Sequence, residues 1–210
     1  MERYEHVIWD WNGTLLDDVT LCVDVMNVML RARRMREVDE AEYRQTFDFP
    51  VKEYYRKLGF DFLVEPFEKL AVEYCDDYDA RIGECGLHAH VTNVLEALLR
   101  RGANQYLLSA HEQRALSEAL EFFEIAAYFH EAVGQSDRYS AGKIGAGLDL
   151  IERLDMERSR TVLVGDTVHD HEVASALGID CVLVCNGHHS RGRLEAVHDN
   201  VIDSLAALQP

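Results

Sequence analysis

The sequence has few of the features that mark secreted, membrane-spanning or disordered proteins. Its 210 residues include only 3 prolines and no low-complexity tract or internal repeat, which excludes a disordered or solenoid chain. No apolar run approaches the roughly 20 residues that span a bilayer, and the first residues carry no apolar signal region. The five cysteines form no CxxC pair and fit no zinc-finger spacing, so we interpret them as free thiols of a reducing compartment. These absences predict a cytoplasmic protein.

Basic side chains are also scarce. Lysine and arginine together number 21, against 38 aspartates and glutamates, which gives a formal net charge of −17. Such a surface repels phosphate backbones and anionic lipid, so we expect neither nucleic acid nor a membrane surface as a partner. An anionic substrate would need local positive charge, from a metal ion or from a few placed lysines and arginines.

Short apolar runs alternate with amphipathic helical segments along the chain, which is typical of an α/β fold with a parallel sheet. The runs that we predict to be strands are residues 6–10, 105–109, 132–133, 161–165 and 181–185. Some of them are apolar on both faces, as expected where helices cover both sides of a sheet. Apolar stripes at helical spacing follow at residues 91–99, 116–123 and 144–151, with Gly102 just past the first.

The stretch from residue 19 to residue 81 has a different pattern. It contains no convincing strand and shows helical amphipathy throughout, with Pro50 and Pro66 near helix starts. A helical block inserted after the first strand predicts a cap over the C-terminal edge of the sheet, where ligands bind in open α/β folds. We therefore predict an α/β core formed by residues 1–16 and 86–210, and a small all-helical cap formed by residues 17–85.

Polar residues stand where four of the predicted elements begin or end. The first strand runs into "DWNGT" at residues 10–14, the second ends at Ser109, a helix opens at Lys143, and "VGDTVHD" carries Asp166 and Asp170. Each residue alone is weak evidence, because Asp and Ser are common caps and turn formers and most lysines are solvated. Together they are stronger evidence, because parallel strands bring their C-terminal residues into one crevice.

In that crevice Asp10, Asp166 and Asp170 would place three carboxylates close together, and these repel one another unless a cation lies among them. Carboxylate oxygens suit Mg²⁺. Ser109 and Lys143 would add the hydroxyl donor and the positive charge that the oxygens of a phosphoryl group need. A carboxylate that attacks phosphorus forms an aspartyl-phosphate, which is a covalent route to phosphoryl transfer. The set therefore predicts phosphoryl-transfer chemistry.

These residues resemble the motifs of the haloacid dehalogenase superfamily, Mg²⁺-dependent phosphohydrolases with a Rossmann-like core. The superfamily's DxDGT stands here as "DWNGT", its strand-ending Ser or Thr as Ser109, and its GDxxxD unchanged at residues 165–170. Lys143 matches the third motif, although the proline that often follows it is Ile144 here. The resemblance covers essentially the whole chain, and the helical insert resembles the cap of the phosphoglycolate phosphatase and β-phosphoglucomutase branch.

The resemblance implies a role for each matching residue. Asp10 would be the nucleophile and a metal ligand, and the remaining Mg²⁺ ligands would be the backbone carbonyl of Asn12 and the carboxylates of Asp166 and Asp170. The residues that would hold the phosphoryl group are Gly13, Thr14, Ser109, Ala110 and Lys143. The implied function is an Mg²⁺-dependent phosphohydrolase that acts on a small phosphorylated metabolite through an aspartyl-phosphate.

Asn12 departs from the superfamily pattern, whose second Asp protonates the leaving oxygen and then activates water. An amide cannot transfer that proton, and losing general acid/base help typically costs ~10²–10⁴-fold in rate. In one interpretation phosphatase activity persists on good leaving groups, with His111 or His88 supplying the base. In a second, the chain cleaves a C–P bond as phosphonoacetaldehyde hydrolases do, through a Schiff base on a cap lysine: Lys52, Lys57 or Lys69. In a third, it binds phosphorylated ligands with little turnover and acts as a sensor, a partner-binding module or a regulatory protein.

Dehalogenation of a 2-haloacid is disfavoured, because the complete GDxxxD motif favours a metal site. The remaining notable side chains lie beside the motifs. We interpret His169, His171 and the pair His188 and His189 as loop polarity rather than as a transition-metal site. Trp11, next to the predicted nucleophile, is expected to pack against the cap.

Overall fold

The computed structural model describes residues 1–136 and 143–209. The strands are β1 (His6–Trp9), β2 (Leu16–Asp17), β3 (Gly86–Leu87), β4 (Asn104–Glu112), β5 (Glu131–Gln135), β6 (Thr161–Gly165), β7 (Asp180–Val184) and β8 (Val201–Ile202). The helices are α1 (Val19–Ala32), α2 (Glu40–Thr46), α3 (Val51–Leu58), α4 (Phe67–Arg81), α5 (Val91–Arg100), α6 (Gln113–Phe122), α7 (Ile144–Arg153), α8 (Val168–Leu177) and α9 (Arg191–Glu195).

Six of the strands form one parallel sheet in the order β5-β4-β1-β6-β7-β8. The register places Trp9 of β1 beside Leu107 of β4 and Val164 of β6. The residues that follow these three central strands therefore emerge side by side at one edge of the sheet. The predicted α/β class with a parallel Rossmann-like sheet is confirmed.

Alternation along β1 explains why its sequence is apolar throughout. Val7 and Trp9 belong to the hydrophobic cluster under α5 and α6, whereas Ile8 belongs to the cluster under α7 and α8. All three side chains are fully buried. The alternation of side chains between the two faces of the sheet continues beyond the end of β1, so Trp11 lies in the same cluster as Trp9. The ring of Trp11 lies 5.8 Å from that of Phe123. Trp11 therefore packs in the α/β core, and the expectation that it packs against the cap is wrong.

The chain between the two-stranded antiparallel pair β2–β3 folds as helices α1 to α4, with their own hydrophobic cluster. As predicted, Pro50 and Pro66 stand at the N-caps of α3 and α4. The residue boundaries of core and cap stay a prediction, with β2 and β3 lying at the two crossings between them. Within residues 1–136 and 143–209, no helix combines the length and the apolarity needed to cross a bilayer.

Two parts of the sheet differ from the sequence prediction. Strand β4 continues past Ser109 to Glu112, with a register shift against β5 between Leu108 and Glu112, so Ser109 lies at an irregularity within the strand rather than at its end. The two-residue strands β2, β3 and β8 were not predicted, because such short runs carry no readable alternation.

Candidate active site

The crevice at the C-terminal edge of the sheet brings the predicted acidic residues together. Asp10 follows β1, Asp166 follows β6 and Asp170 lies in the first turn of α8. The three side chains are buried, and each offers an oxygen within 4.8 Å of the others. The sequence prediction that these carboxylates converge agrees with this geometry.

Lys143 lies beside these carboxylates, although it is distant from Asp10 in the sequence. It is the N-cap of α7, and its Nζ lies 2.7 Å from Asp10 Oδ1 and 2.7 Å from Asp170 Oδ1. Burial alone would lower the pKa of Lys143, but the two carboxylates raise it above its ordinary value, so the side chain is an ammonium at neutral pH. Residues 140–142, which precede Lys143 in the predicted motif, lie outside the described residues.

The electrostatics of the carboxylates fit a divalent cation. Burial and the neighbouring Asp170 raise the pKa of Asp10 to about 8, and burial raises the pKa of Asp166 to about 6. The single positive charge of Lys143 therefore does not offset the negative charge of three buried carboxylates. A hard divalent ion such as Mg²⁺, which binds carboxylate oxygens together with water and phosphate, would supply the missing positive charge. Asp10, Asp166, Asp170 and the carbonyl of Asn12 are the residues that would hold it.

Asp170 is fixed by the start of α8. Its Oδ2 accepts hydrogen bonds from the Thr167 hydroxyl at 2.6 Å and the Thr167 backbone at 3.0 Å, in a capping box. Burial raises the pKa of Asp170, but Lys143 and Thr167 outweigh it and lower the pKa below its ordinary value. A Cβ on Gly165 would lie 2.3 Å from the Asp170 carboxyl carbon, which explains the glycine of this motif. Asp170 is thus both a helix-capping acid and part of the acidic group.

Asp166 is held by the two loops beside it. Its Oδ1 accepts the hydroxyl of Thr14 at 2.7 Å, and its Oδ2 accepts the backbone N–H of His188 at 2.6 Å. Gly13 has φ +71°, and a Cβ there would lie 2.4 Å from Asp166 Oδ2. The Thr14 hydroxyl and the Gly13 N–H, which donates to Asp18 Oδ1 at 2.8 Å, already have partners within the protein. Their predicted contacts with phosphate stay predictions.

The side chain of Asn12 faces a carboxylate that the sequence analysis missed. Its Nδ2 donates to Asp18 Oδ2 at 2.8 Å and to the Tyr78 hydroxyl at 2.7 Å, and that hydroxyl donates to Asp18 Oδ2 at 2.7 Å. Asp18 is fully buried at the start of the cap. The only sequence signal was the second Asp of "LLDD", which looks like an ordinary acidic helix start.

Asp18 also forms a buried ion pair with His188. The Nε2 of His188 lies 3.3 Å from Asp18 Oδ1, and its Nδ1 lies 2.9 Å from the Tyr43 hydroxyl. Burial lowers the pKa of His188, but Asp18 raises it more, to about 9. Burial raises the pKa of Asp18, but His188 and the surrounding donors hold it well below its usual range. His188 is therefore a cation and Asp18 an anion at neutral pH.

The interpretation of the histidine pair as loop polarity is wrong, because both rings are buried. His189 Nδ1 accepts the backbone N–H of Val168 at 3.0 Å and so caps α8, and burial lowers its pKa to about 3. His169 stacks on Phe49 with ring centroids 4.7 Å apart. Histidine fills these positions as a compact, partly polar ring at the junction of cap and core.

The two histidines proposed as replacement bases occupy different places. His88 Nε2 lies 3.0 Å from the carbonyl oxygen of Gly13, so its N–H is donated to the loop backbone. His111 lines the cavity above Asp10, and its backbone N–H donates to Ser109 Oγ at 3.0 Å. Ser109 is fully buried, its hydroxyl can donate as well as accept a hydrogen bond, and Ala110 lines the same cavity. His111 is therefore the better placed of the two.

The cap lysines do not approach the acidic group. Lys52, Lys57 and Lys69 have side chains 40%, 49% and 70% exposed, and each pairs with a carboxylate of the cap. A Schiff-base lysine must lose its proton, which requires desolvation or a neighbouring cation. None of the three meets that requirement.

The loop after β7 forms hydrogen bonds both to the cap and to the acidic residues of the crevice. Arg44 of α2 donates through Nε to the Gly187 carbonyl at 3.0 Å, and Arg193 donates to the Phe47 carbonyl at 2.6 Å. The same loop supplies His188, which contacts both Asp166 and Asp18. Between cap and core lies a cavity of about 140 Å³, with Asp10, Asn12 and Lys143 in its wall.

A parallel α/β sheet with a buried acidic group and an ammonium at its C-terminal edge, beneath a helical insert, is the arrangement of a capped α/β protein with its ligand site at that edge. Residues 7–184 match the family model described as haloacid dehalogenase-like hydrolase, and the chain belongs to that family. The resemblance stated from the motifs is thereby confirmed.

Relatives and solved structures agree with this membership. The chain is 27% identical to the probable phosphatase IndB of Dickeya dadantii over 93% of this chain and 87% of that protein. It is 23% identical to a phosphoglycolate phosphatase of Synechococcus elongatus over 90% and 88% of the two chains. A haloacid dehalogenase-like hydrolase from Bacteroides fragilis has the same fold, with a TM-score of 0.85, 19% identity, and 98% and 99% of the two chains covered.

Proposed function

We propose that this protein is a phosphatase that removes phosphate from a small phosphorylated metabolite through an aspartyl-phosphate on Asp10, with Mg²⁺ as its cofactor. The observation that carries the proposal is the contact of the Asp10 carboxylate with the Lys143 ammonium, at 2.7 Å, in the wall of a cavity between cap and core. The net charge of −17 supports a small molecule, rather than nucleic acid or membrane, as the partner.

In the first half-reaction an Asp10 carboxylate oxygen attacks phosphorus, and the bond from phosphorus to the ester oxygen breaks. The leaving oxygen takes the electron pair. Lys143 offsets charge on the nucleophile and the phosphoryl oxygens, and Ser109 has a hydroxyl proton to donate to them. Bound Mg²⁺ would supply further charge neutralisation at those oxygens.

In the second half-reaction water attacks phosphorus, the bond from phosphorus to Asp10 breaks, and one water proton needs an acceptor. The Asn12 amide is not a base, and Asp18 is a weak one because donors surround it. His188 is already protonated at neutral pH because its pKa is raised to about 9. His111 lines the cavity and is the residue to which we assign this proton.

The test is a phosphomonoester screen with and without Mg²⁺ on wild type, Asp10→Asn and His111→Gln. We expect Asp10→Asn to abolish turnover and His111→Gln to slow it by ~10²-fold or more. Asp149→Asn, the same change on the exposed face of α7, is the matched control. Wild type that binds phosphate analogues without Mg²⁺-dependent turnover would instead establish the binding-protein interpretation. Borohydride trapping of a lysine adduct with phosphonoacetaldehyde would establish C–P cleavage.

A further inference from the structure

The wall that the cap contributes to the cavity is aromatic. Eight phenylalanine and tyrosine side chains between residues 43 and 78 line it. Several pack edge to face: the rings of Tyr43 and Tyr54 lie 5.7 Å apart at 88°, and those of Phe47 and Tyr54 lie 5.3 Å apart at 77°. Rings in mutual edge-to-face contact form a preorganised surface for another ring.

The same wall offers no counter-charge for a substrate. Among the described residues of the cap that line the cavity, Asp18 is the only charged one, and it is paired with His188. The cation nearest the nucleophile, Lys143, is paired with Asp10 and Asp170. A substrate whose organic part carries a carboxylate, as phosphoglycolate does, would have to bury that charge without a cationic partner.

The size of the cavity limits what the cap can enclose. Its volume is about 140 Å³, close to the apolar protein cavity of about 150 Å³ that binds benzene. A single six-membered aromatic ring fits this space.

Among the described residues of this cap wall, one buried polar atom has no hydrogen-bond partner. Tyr54 is 1% exposed, and within the described residues its hydroxyl has no hydrogen-bond partner. A buried hydroxyl without a partner is costly and rare in folded proteins. A ligand with a hydrogen-bonding group at this position would supply the missing partner.

Asn12 places a chemical requirement on the same ligand. No acid stands at position 12 to protonate the leaving oxygen, which favours a leaving group that can depart as an anion. A phenolate does so far more readily than an alkoxide, because phenols such as the tyrosine side chain already ionise with a pKa ≈ 10. An aromatic leaving group thus packs against the aromatic wall of the cavity and can depart without an acid at position 12.

We propose that the substrate is a phosphomonoester of a phenol, whose ring occupies the cap cavity and carries an uncharged polar substituent that hydrogen-bonds to the Tyr54 hydroxyl. This inference rests on the proposed phosphatase function. Asp10 attacks phosphorus, the bond between phosphorus and the phenolic oxygen breaks, and the phenolate leaves with the electron pair and takes a proton from water. The acyl-phosphate on Asp10 is then hydrolysed as described above.

The first test separates recognition of a ring from reactivity of the leaving group. The substrates are phenyl phosphate, the hydroxyphenyl phosphates, phosphoglycolate, and acetyl phosphate, whose acetate is a better leaving group than phenolate but has no ring. We expect kcat/KM for phenyl phosphate to exceed that for acetyl phosphate and phosphoglycolate by about tenfold or more. Equal or higher values for acetyl phosphate or phosphoglycolate would overturn the inference and leave the phosphatase function intact.

The second test does not require turnover. Titration calorimetry with phenylphosphonate and methylphosphonate, in the presence of Mg²⁺, compares two inert phosphonates that differ by the ring. We expect phenylphosphonate to bind about tenfold more tightly or better. Equal dissociation constants would overturn the ring site, whereas tighter binding of phenylphosphonate without turnover of any ester would overturn only the proposed function.

Two variants in the wall of the cavity test where the ring of the substrate binds. Ala71 is 5% exposed and lines the cavity, so Ala71→Leu fills part of it and should lower the ratio of kcat/KM for phenyl over acetyl phosphate about tenfold. Val72→Leu, at the 40% exposed neighbour on α4, is the matched control and should keep the wild-type ratio. Tyr54→Phe removes the unpartnered hydroxyl and should abolish a three- to tenfold preference, of the size of about one hydrogen bond, for the best hydroxyphenyl phosphate over phenyl phosphate. Unchanged ratios in both cavity variants would refute the assignment.

Discussion

Restoring the family's aspartate by Asn12→Asp is expected to destabilise the protein, because of the contact between Asn12 and Asp18. The Asn12 amide donates to Asp18 Oδ2 at 2.8 Å and to the Tyr78 hydroxyl at 2.7 Å, and an ionised carboxylate at this position can donate neither bond. A hydrogen bond to a charged group contributes about 1.5–3 kcal/mol. The new carboxylate would face a buried like charge, a repulsion of about 4 kcal/mol at 4 Å and an effective dielectric of 20.

Protonation of the new carboxyl limits this cost. Holding an Asp with an unperturbed pKa of about 3.9 in its neutral form takes about 4 kcal/mol at pH 7 and about 1.5 kcal/mol at pH 5. The protonated carboxyl can donate its single proton to Asp18 in place of the amide, so only the bond to Tyr78 is then lost. We therefore expect Asn12→Asp to lower the free energy of unfolding by about 5 kcal/mol at pH 7, and by about 2–3 kcal/mol at pH 5. The sign follows from linkage: the folded variant binds a proton that the unfolded chain has lost, so its stability falls as pH rises above about 4.

The assay is urea unfolding of wild type, Asn12→Asp, Asp18→Asn and the double variant, in buffers without divalent ions. The double variant exchanges amide and carboxylate and removes the like-charge contact, so we expect a favourable coupling of about 2 kcal/mol or more between the two positions. Additive effects of the two changes, or an Asn12→Asp protein as stable as wild type at pH 7, would refute the reasoning.

Three further outcomes follow from the site. Because burial raises the pKa of Asp10 to about 8, protons compete with a bound cation, so Mg²⁺ should raise Tm more at pH 8 than at pH 6, as measured by calorimetry. Lys143→Met leaves Asp10 and Asp170 without their buried partner and should cost about 3–5 kcal/mol in urea unfolding, a loss that Mg²⁺ should partly reverse and that an equally stable variant would contradict. The pKa of His188 is raised from 6.5 to about 9, so its stabilisation is complete below pH 6.5 and lost as pH rises through 9; His188→Gln should lack this decline of about 3 kcal/mol in a pH series of unfolding midpoints.

The parts of the fold that could be predicted are those in which local pattern and tertiary structure agree. Residues 161–165 are apolar on both faces because helices cover both sides of the sheet, and "GD" and "DWNGT" mark strand ends that the parallel register brings together. The helical insert could be predicted from the absence of alternation over some sixty residues. The convergence of the three carboxylates could be predicted from the parallel direction of the strands alone.

The contacts that could not be predicted connect distant parts of the chain. Tyr78 lies 66 residues after Asn12, and Tyr43 lies 145 residues before His188, with no local pattern to link them. Asp18 looks like a solvated acid at a helix start, and only its burial under Tyr78 shows it to be the partner of Asn12. The last residues of β4 also carry no strand signal in the sequence, because they are polar and the pairing with β5 is irregular there.

The hydrogen bonds between the cap and the loop after β7 bear on protein engineering. Chimeras that exchange residues 19–81 with a relative's helices would keep the sheet and its acidic residues. They would lose three hydrogen bonds: from Tyr78 to Asp18, between Tyr43 and His188, and from Arg44 to the Gly187 carbonyl. Transplanted specificity therefore requires moving Asp18 and the loop at residues 186–190 together with the helices.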